Sequence, residues 1–382
     1  MRSEKDFSLF LIAGLFGGIA TGIFMTIFNN YLSDVFNLMP DGRGIVEFPR
    51  ELPGVLIVFV LAFLAFLGDR RIIFVGTLVA AGGLLGLGML SPTFGTMLIW
   101  MMVFSMGQHI MFTVTPAIGM AMSKQAEHGM RLGRISAYSI TGMLIAYAIV
   151  WLGFKHLNFT YSFAFILATV FMVLSSIAVI CMHPQKPEKR KLRLVFKKEF
   201  RLFYVLSVVN GARKQIFLTF APWVLIRMFQ MDAPTFAILG LVVAAVSILT
   251  RKIVGKAIDI KGERFILTLE AIILFAICIG YAFAAELFTA GVAIVVIAGC
   301  YVLDNSMSAV EMARSTYVQK IAKDPADVTP TISTGISIDH VVAMSIPYFG
   351  GLLWAAVGYQ YVFMAAAVIA LINLILSRKI EV

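Results

Sequence analysis

Charged residues are scarce in this chain of 382 residues. Asp, Glu, Lys and Arg make up only 14% of it, against about 25% in soluble domains. The apolar fraction is 60% and the mean hydropathy is +0.92. This composition excludes an ordinary soluble enzyme or binding domain, because too few polar side chains are present to cover a surface in water.

Cysteine is also rare. Cys181, Cys278 and Cys300 all lie inside apolar runs, and no two of them have a metal-binding or redox spacing. No phosphate-binding loop and no nucleophile with a nearby base stands out. We therefore expect no catalytic residue, no metal and no cofactor, and we do not expect an enzyme.

Long apolar runs are what the chain has in abundance. A helix needs about 20 apolar residues to cross about 30 Å of hydrocarbon. Twelve runs of this kind predict twelve transmembrane helices. The predicted spans lie near 8–30, 52–68, 72–91, 96–121, 134–153, 160–181, 203–227, 234–250, 265–284, 287–312, 329–352 and 356–377.

The net charge of +10 could indicate nucleic-acid binding, but its distribution indicates a membrane topology instead. With twelve spans both termini lie on one side, and most of the 31 Lys and Arg residues lie there too. The other side holds Arg43, Arg50, Lys155 and Arg227. By the positive-inside rule, both termini are cytoplasmic. The predicted partners are membrane lipids with anionic headgroups rather than nucleic acid, and the membrane is the inner or plasma membrane if the source is bacterial.

A basic segment, 183–201, is the one long polar interruption, and six predicted spans lie on each side of it. Residues 17–36 align without a gap with 210–229, and 68–73 align with 262–267. Such self-similarity at half the chain length predicts an internal duplication. The predicted organisation is a six-helix bundle over 1–182, a cytoplasmic linker over 183–201 and a second bundle over 202–382.

Short motifs recur at corresponding places in the two halves. Gly255-Lys-Ala-Ile-Asp259-Ile-Lys-Gly262-Glu-Arg264 follows the eighth span, and the shorter Gly68-Asp69-Arg70-Arg71 follows the second. Pro347-Tyr-Phe-Gly-Gly and Gly358-Tyr-Gln-Tyr-Val-Phe363 lie near the C-terminus. With these motifs the chain resembles the major facilitator superfamily over essentially its whole length.

That resemblance implies an all-α membrane fold of twelve transmembrane helices in two pseudo-symmetric six-helix bundles. It also implies a monomer that works by alternating access, with spans one, four, seven and ten around a central site. The fourth span lacks the arginine that many proton-coupled members carry there. The loop residues Asp69, Arg70, Asp259 and Arg264 are predicted to form a charge latch; the alternative is a solvated turn.

Polar and ionisable side chains within the spans are the candidate site residues, because each is unfavourable in hydrocarbon unless it faces a cavity or a partner. Helical spacing places several of them on shared faces. The residues predicted to bind the solute or a coupling ion are Thr26, Asn29, Asn30, Gln108, His109, Arg213, Lys214, Asp304, Asn305, Asp339 and His340. An alternative is that Arg213 or Lys214 simply pairs with Asp304 or Asp339.

Charges near the ends of spans form a second group. Glu47, Arg50 and Glu51 precede or enter the second span, where Pro49 and Pro53 suit the first turn of a helix. They are predicted to form a gate or an outer recognition patch, with a capped helix start as the alternative. Glu311 and Arg314 are predicted to form a local pair that contributes to gating.

Together these features predict a secondary active transporter for a small organic solute, anionic or zwitterionic. Coupling to protons is expected through Asp304, Asp339, His109 or His340. Two alternatives stay open. One is an exporter or flippase of lipophilic drugs or lysolipids, and the other is a receptor on the same scaffold that does not transport.

Overall fold

The computed structural model describes residues 2–122, 128–183, 196–324 and 327–380. These residues are almost entirely helical and contain no strand. The helices are α1 Arg2–Asp34, α2 Pro40–Leu64, α3 Asp69–Met89, α4 Phe94–Ala121, α5 His128–His156, α6 Tyr161–Ile180, α7 Arg201–Phe229, α8 Ala233–Leu287, α9 Ala290–Ser306, α10 Glu311–Ile321, α11 Val328–Val357 and α12 Tyr359–Ser377. Most of the predicted linker, residues 184–195, lies outside the described residues.

Ten helical stretches of the described chain are long and apolar enough to cross a membrane, which confirms the all-α membrane class. The 55-residue α8 contains a non-helical residue, Gly262, with φ 78° and ψ 169°. Glycine adopts a positive φ without steric strain, so the chain changes direction there between two predicted spans. α7 is not among the ten, and it carries Arg213 and Lys214. The total of twelve, which counts α7 and both parts of α8, stays a prediction.

The chain divides into two compact units. The first unit comprises Met1–Phe36, Pro49–Lys191 and Asp232–Gly240, and the second comprises Asn37–Phe48, Leu192–Met231 and Leu241–Val382. The unit boundaries therefore fall inside α2 and inside α8. The domain limits predicted from the sequence differ from these units at the two short segments 37–48 and 232–240, and they stay a prediction.

Glycine permits close helix packing in the first unit, where α1 packs against α5 and α6, and α3 against α4 and α6. A Cβ on Gly18 would overlap the backbone of Ser139, and one on Gly142 would overlap the carbonyl of Leu15. Small residues at such spacings let helix backbones approach each other in membranes. The α1–α5 contact therefore depends on the absence of side chains.

The second unit is organised around α7, which packs against α11 and α12. An aromatic cluster of Phe217, Tyr281 and Phe363, with ring centroids 4.5–5.3 Å apart, fixes its middle. Such edge-to-face and stacked rings add stability beyond their buried area. The charged residues of α7 are therefore carried by a well-packed helix.

α2 begins earlier than the sequence indicated. It starts at Pro40, so Pro49 and Pro53 lie inside the helix, and the expectation that they occupy its first turn is wrong. The charged residues of this segment lower its hydropathy, and a hydropathy-based prediction therefore places the start of the helix too late. Proline is tolerated inside membrane helices where neighbouring groups satisfy the freed backbone carbonyls.

Candidate functional site

A cavity of about 500 Å³ lies within the second unit, between α7, α8, α9, α10 and α11. Pockets for small organic molecules usually measure 300–1,000 Å³, so this one can hold a metabolite. Its charged lining residues are Arg213, Lys214, Glu270, Asp304, Glu311, Arg314 and Asp339, and its neutral polar ones are Ser207, Asn210, Asn305, Ser308 and Ser315.

Arg213 and Asp304 form a buried ion pair in this cavity. The Arg213 Nη1 group donates to the Asp304 Oδ1 atom, and both side chains are largely buried. The guanidinium also lies 5.3 Å from the Phe217 ring centroid. A buried charge is stable only when it is paired and hydrogen-bonded, so each side chain compensates the charge of the other.

Lys214 and Asp339 form a second pair, which is open to the cavity. The Lys214 Nζ atom lies 2.5 Å from Asp339 Oδ2, with side-chain exposures of 41% and 24%. A Cβ on Gly211 would overlap the Asp339 carboxylate. The glycine therefore leaves the space in which this carboxylate lies against α7.

Arg314 binds two carboxylates. It lies 2.5 Å from Glu270 and 3.0 Å from Glu311, so the predicted Glu311–Arg314 pair is formed. Glu270 is 3% exposed, whereas Glu311 is 66% exposed. Sequence reasoning missed Glu270 because it lies only five residues into the predicted ninth span, where a carboxylate usually reaches water.

A 3₁₀ turn, Met307–Val310, separates α9 from α10 beside the cavity. Mid-helix 3₁₀ segments often mark a functional hinge. Asn305, just before the turn, donates from Nδ2 to the carbonyl of Tyr301 at 2.8 Å. The sequence gives little sign of this interruption, because residues 305–311 contain neither proline nor glycine.

The predicted site residues of the first unit make mostly local contacts. His109 Nδ1 lies 2.8 Å from the carbonyl of Ser105, and Thr26 donates to the carbonyl of Gly22 at 2.6 Å. Gln108 Nε2 lies 3.5 Å from Thr21 Oγ1. Asn29 and Asn30 follow Thr26 on α1, and Asn30 is buried. Binding roles for these residues stay predictions.

A second cavity, of about 310 Å³, lies within the first unit and has a different lining. It is formed mainly by glycine, apolar and hydroxyl side chains, and the described residues that line it include no charged one. Among them are Gly14, Gly17, Thr21, Met111, Phe112 and Ser175.

A buried polar cluster lies at the start of α2, in the part that belongs to the second unit. Glu47 lies 2.6 Å from Arg43 and accepts a hydrogen bond of 3.0 Å from Gln215 of α7. The Arg43 guanidinium is 6.0 Å from the Trp223 ring centroid. Of these residues, sequence reasoning had singled out only Glu47, because it did not extend the helix back to residue 40.

The remaining charges predicted for gating lie in different settings. Arg50 and Glu51 pair at 3.1 Å within the first unit. Arg70 donates to the carbonyls of Ile180 and Met182 at 2.9 and 2.6 Å, and so caps the end of α6. Asp69 lies in the first turn of α3. A cation at a helix C-terminus stabilises the unsatisfied carbonyl groups.

In the loop motif of the second half, the residue that forms an ion pair is Glu263 rather than the predicted Asp259 or Arg264. Buried Glu263 lies 2.7 Å from Lys320. Asp259 and Arg264 are exposed and form no ion pair with a described residue. His340 follows Asp339 on α11 but does not line the described cavity. Latch and coupling roles for these residues stay predictions.

A family model and several solved transporter structures are similar to this chain. A family model described as Major Facilitator Superfamily matches residues 52–338, and no curated protein matches. Among solved structures, a mutant of the nucleoside transporter NupG superimposes with a TM-score of 0.79 at 13% identity, covering 99% of this chain and 100% of that one.

Two further structures are similar over nearly their full lengths. A D-xylose-proton symporter has a TM-score of 0.76 at 13% identity, covering 100% of this chain and 98% of that one. A bacterial homolog of the human lysosomal transporter Spinster, inward-facing and occupied, has 0.74 at 15%, with 97% and 95% covered. At these identities the similarity shows the fold.

Proposed function

The chain belongs to the Major Facilitator Superfamily and is a multi-pass membrane transporter rather than an enzyme, and we propose that it moves a small polar organic solute in a proton-coupled, alternating-access cycle. The cavity of the second unit is the proposed solute site. Arg213, Lys214, Asp304, Asn305 and Asp339 are the residues proposed to contact the solute or the coupling proton.

The Lys214–Asp339 pair carries this proposal. Ionisable side chains within membrane spans are rare and mostly serve substrate or ion pathways. This pair is accessible from the cavity. A solute can therefore replace Asp339 as the partner of Lys214, or Lys214 as the partner of Asp339. The buried Arg213–Asp304 pair behind it is suited to hold the site in place.

Proton coupling is proposed to act through the carboxylates of the same cavity. A proton on Asp339 or Asp304 removes a negative charge that holds a cation on α7. The freed Lys214 or Arg213 then has a different affinity for the solute. Binding of proton and solute are linked in this way, and the linkage works in both directions.

Transport into proteoliposomes tests the proposal, with a solute first found by thermal-shift screening of purified protein. Accumulation is expected to follow an imposed pH gradient and to fall to background in the double variant Asp304→Asn/Asp339→Asn. Glu286→Gln, on an exposed carboxylate outside the cavity, is the matched control and is expected to transport normally. Uptake that ignores the gradient and survives the double substitution contradicts the proposal, and binding without any flux indicates a receptor.

The uncharged cavity of the first unit favours the second candidate function, the export or flipping of lipophilic molecules. Its apolar lining suits an alkyl chain or an aromatic drug. Gly17 borders this cavity with only ordinary contacts to Met111 and Ser175, so Gly17→Leu fills it. If a lysolipid or drug stabilises the wild type and not this variant, the second candidate is favoured.

A further inference from the structure

The charges around the cavity of the second unit do not balance. We infer that the transported solute carries a cationic group, and that this group and a proton compete for one surplus negative charge, so that the transporter exchanges one for the other. The inference rests on the proposed function and narrows its solute class.

Three cations and four carboxylates line this cavity among the described residues. The cations are Arg213 and Lys214 of α7 and Arg314 of α10, and the carboxylates are Glu270 of α8, Asp304 of α9, Glu311 of α10 and Asp339 of α11. No histidine is among these lining residues. With all seven groups ionised, the lining carries one net negative charge.

Every cation of the lining already has a carboxylate partner. Arg213 binds Asp304, and Lys214 binds Asp339 at 2.5 Å. Arg314 has two partners. An anionic solute would therefore have to displace a carboxylate from its cation, and it would raise the net negative charge of the lining. Of the anionic and zwitterionic solutes expected from the sequence, the charge balance disfavours the anion.

Glu311 is the carboxylate that can accept the cationic group. Arg314 lies closer to buried Glu270, at 2.5 Å, than to Glu311, at 3.0 Å. Glu311 is 66% exposed, so a solute can reach it without displacing a packed side chain.

The lining supplies the remaining groups that a cation or a zwitterion requires. Ser308 and Asn305 lie on the same wall as Glu311 and offer oxygen acceptors for an ammonium group. A zwitterion can also place its carboxylate on Lys214, which is 41% exposed. Organic cations and zwitterions are therefore the solute classes that fit.

Competition between solute and proton follows from the single surplus charge. Opposite charges attract each other across the cavity, so neutralising the net negative charge of the lining stabilises it. One proton or one organic cation achieves this, whereas both together leave a net positive charge. Two ligands that exclude each other at one site are carried in turn, and so the transport cycle is an exchange.

A charge-sorted thermal-shift screen of the purified full-length protein tests the solute class. The probes share one carbon skeleton: phenethylamine as the cation, phenylalanine as the zwitterion, 3-phenylpropionate as the anion and 2-phenylethanol as the neutral solute, with libraries of each charge type beside them. We expect cations or zwitterions to stabilise the protein, with affinity rising by up to about tenfold per pH unit over the range in which the surplus carboxylate loses its proton, because one proton is displaced there. If the stabilising compounds are anions or neutral solutes, or if no cation or zwitterion stabilises the protein at any pH tested, the inference is wrong.

A variant pair tests the assigned carboxylate with the stabilising compound of that screen. Glu311→Gln is expected to weaken binding at least about tenfold and to flatten its pH dependence, whereas Glu311→Asp keeps the charge and is expected to retain both. Glu286→Gln is the matched control. Unchanged affinity and pH dependence in Glu311→Gln overturn the assignment; if that variant fails to fold, loss of the pH dependence in Glu311→Asp does so. Proton-driven accumulation of an anion would overturn this inference and leave the proposed function intact, whereas absence of any flux would overturn the proposed function.

Discussion

Two aligned segments, one in each unit, pack against different structural features. Residues 17–36, nearly all in α1, align with 210–229 of α7, which places Gly18 opposite Gly211. Gly18 makes room for the backbone of Ser139 on α5, whereas Gly211 makes room for the carboxylate of Asp339 on α11. Both glycines permit close approach, in one case of another helix and in the other of a charge.

The next positions extend this difference. Where α1 has Ala20, Thr21 and Gly22, α7 has Arg213, Lys214 and Gln215. The cavity of the first unit accordingly has no charge among its described lining residues, while that of the second has seven. A shared helix framework thus supports close packing in one unit and ion chemistry in the other.

The largest expected effect comes from breaking the buried pair that only α7 carries. Arg213→Met leaves the buried Asp304 carboxylate without its partner, which typically destabilises by about 3–5 kcal/mol. Thermal unfolding in detergent measures the change. Arg213→Met/Asp304→Asn removes both charges and is expected to recover much of the stability; a double variant as unstable as the single one would show that charge is not the cause.

The two glycines provide a direct test of the comparison. Gly18→Ala forces two backbones apart and is expected to destabilise by about 1–3 kcal/mol. Gly211→Ala meets only a side-chain carboxylate, so its stability loss is expected to be smaller, while displacement of Asp339 weakens solute binding. Thermal unfolding and solute affinity, measured on both variants, distinguish the roles. Equal stability losses with unaltered solute binding would contradict the contrast.

The smallest effects are expected at the two loop motifs. Arg70→Met removes the cation that caps α6, and a helix-terminal charge contributes about 0.3–2 kcal/mol. Arg264→Met changes an exposed residue without an ion pair to a described residue, so a change within about 0.5 kcal/mol is expected. Unfolding midpoints of the two variants measure this difference, which vanishes if both arginines serve only membrane topology.

Hydropathy predicted the class of this fold well, because a membrane helix needs a long apolar run that composition reveals directly. It failed where charges are internally paired. The first turns of α2, with Arg43 and Glu47, look like a polar loop until their burial is known. Glu270 lies near the start of its predicted span, and its partner Arg314 is 44 residues away in sequence, so nothing in the sequence indicated that this carboxylate is buried and paired.

Parts of the candidate site were predictable residue by residue. Arg213, Lys214, Asp304 and Asp339 stand out because each interrupts an apolar span. Their pairing was not predictable, since two cations and two carboxylates allow more than one arrangement. The choice depends on the helix packing that places Asp304 against Arg213 and Asp339 against Lys214.

Three consecutive residues of α7 contact three different helices. Arg213 binds α9, Lys214 binds α11, and Gln215 binds the start of α2. Successive side chains of an α-helix point about 100° apart, so these contacts fix α7 in three directions. Twisting or sliding of α7 therefore strains all three contacts at once, and a solute that replaces one partner alters the alignment of the other two.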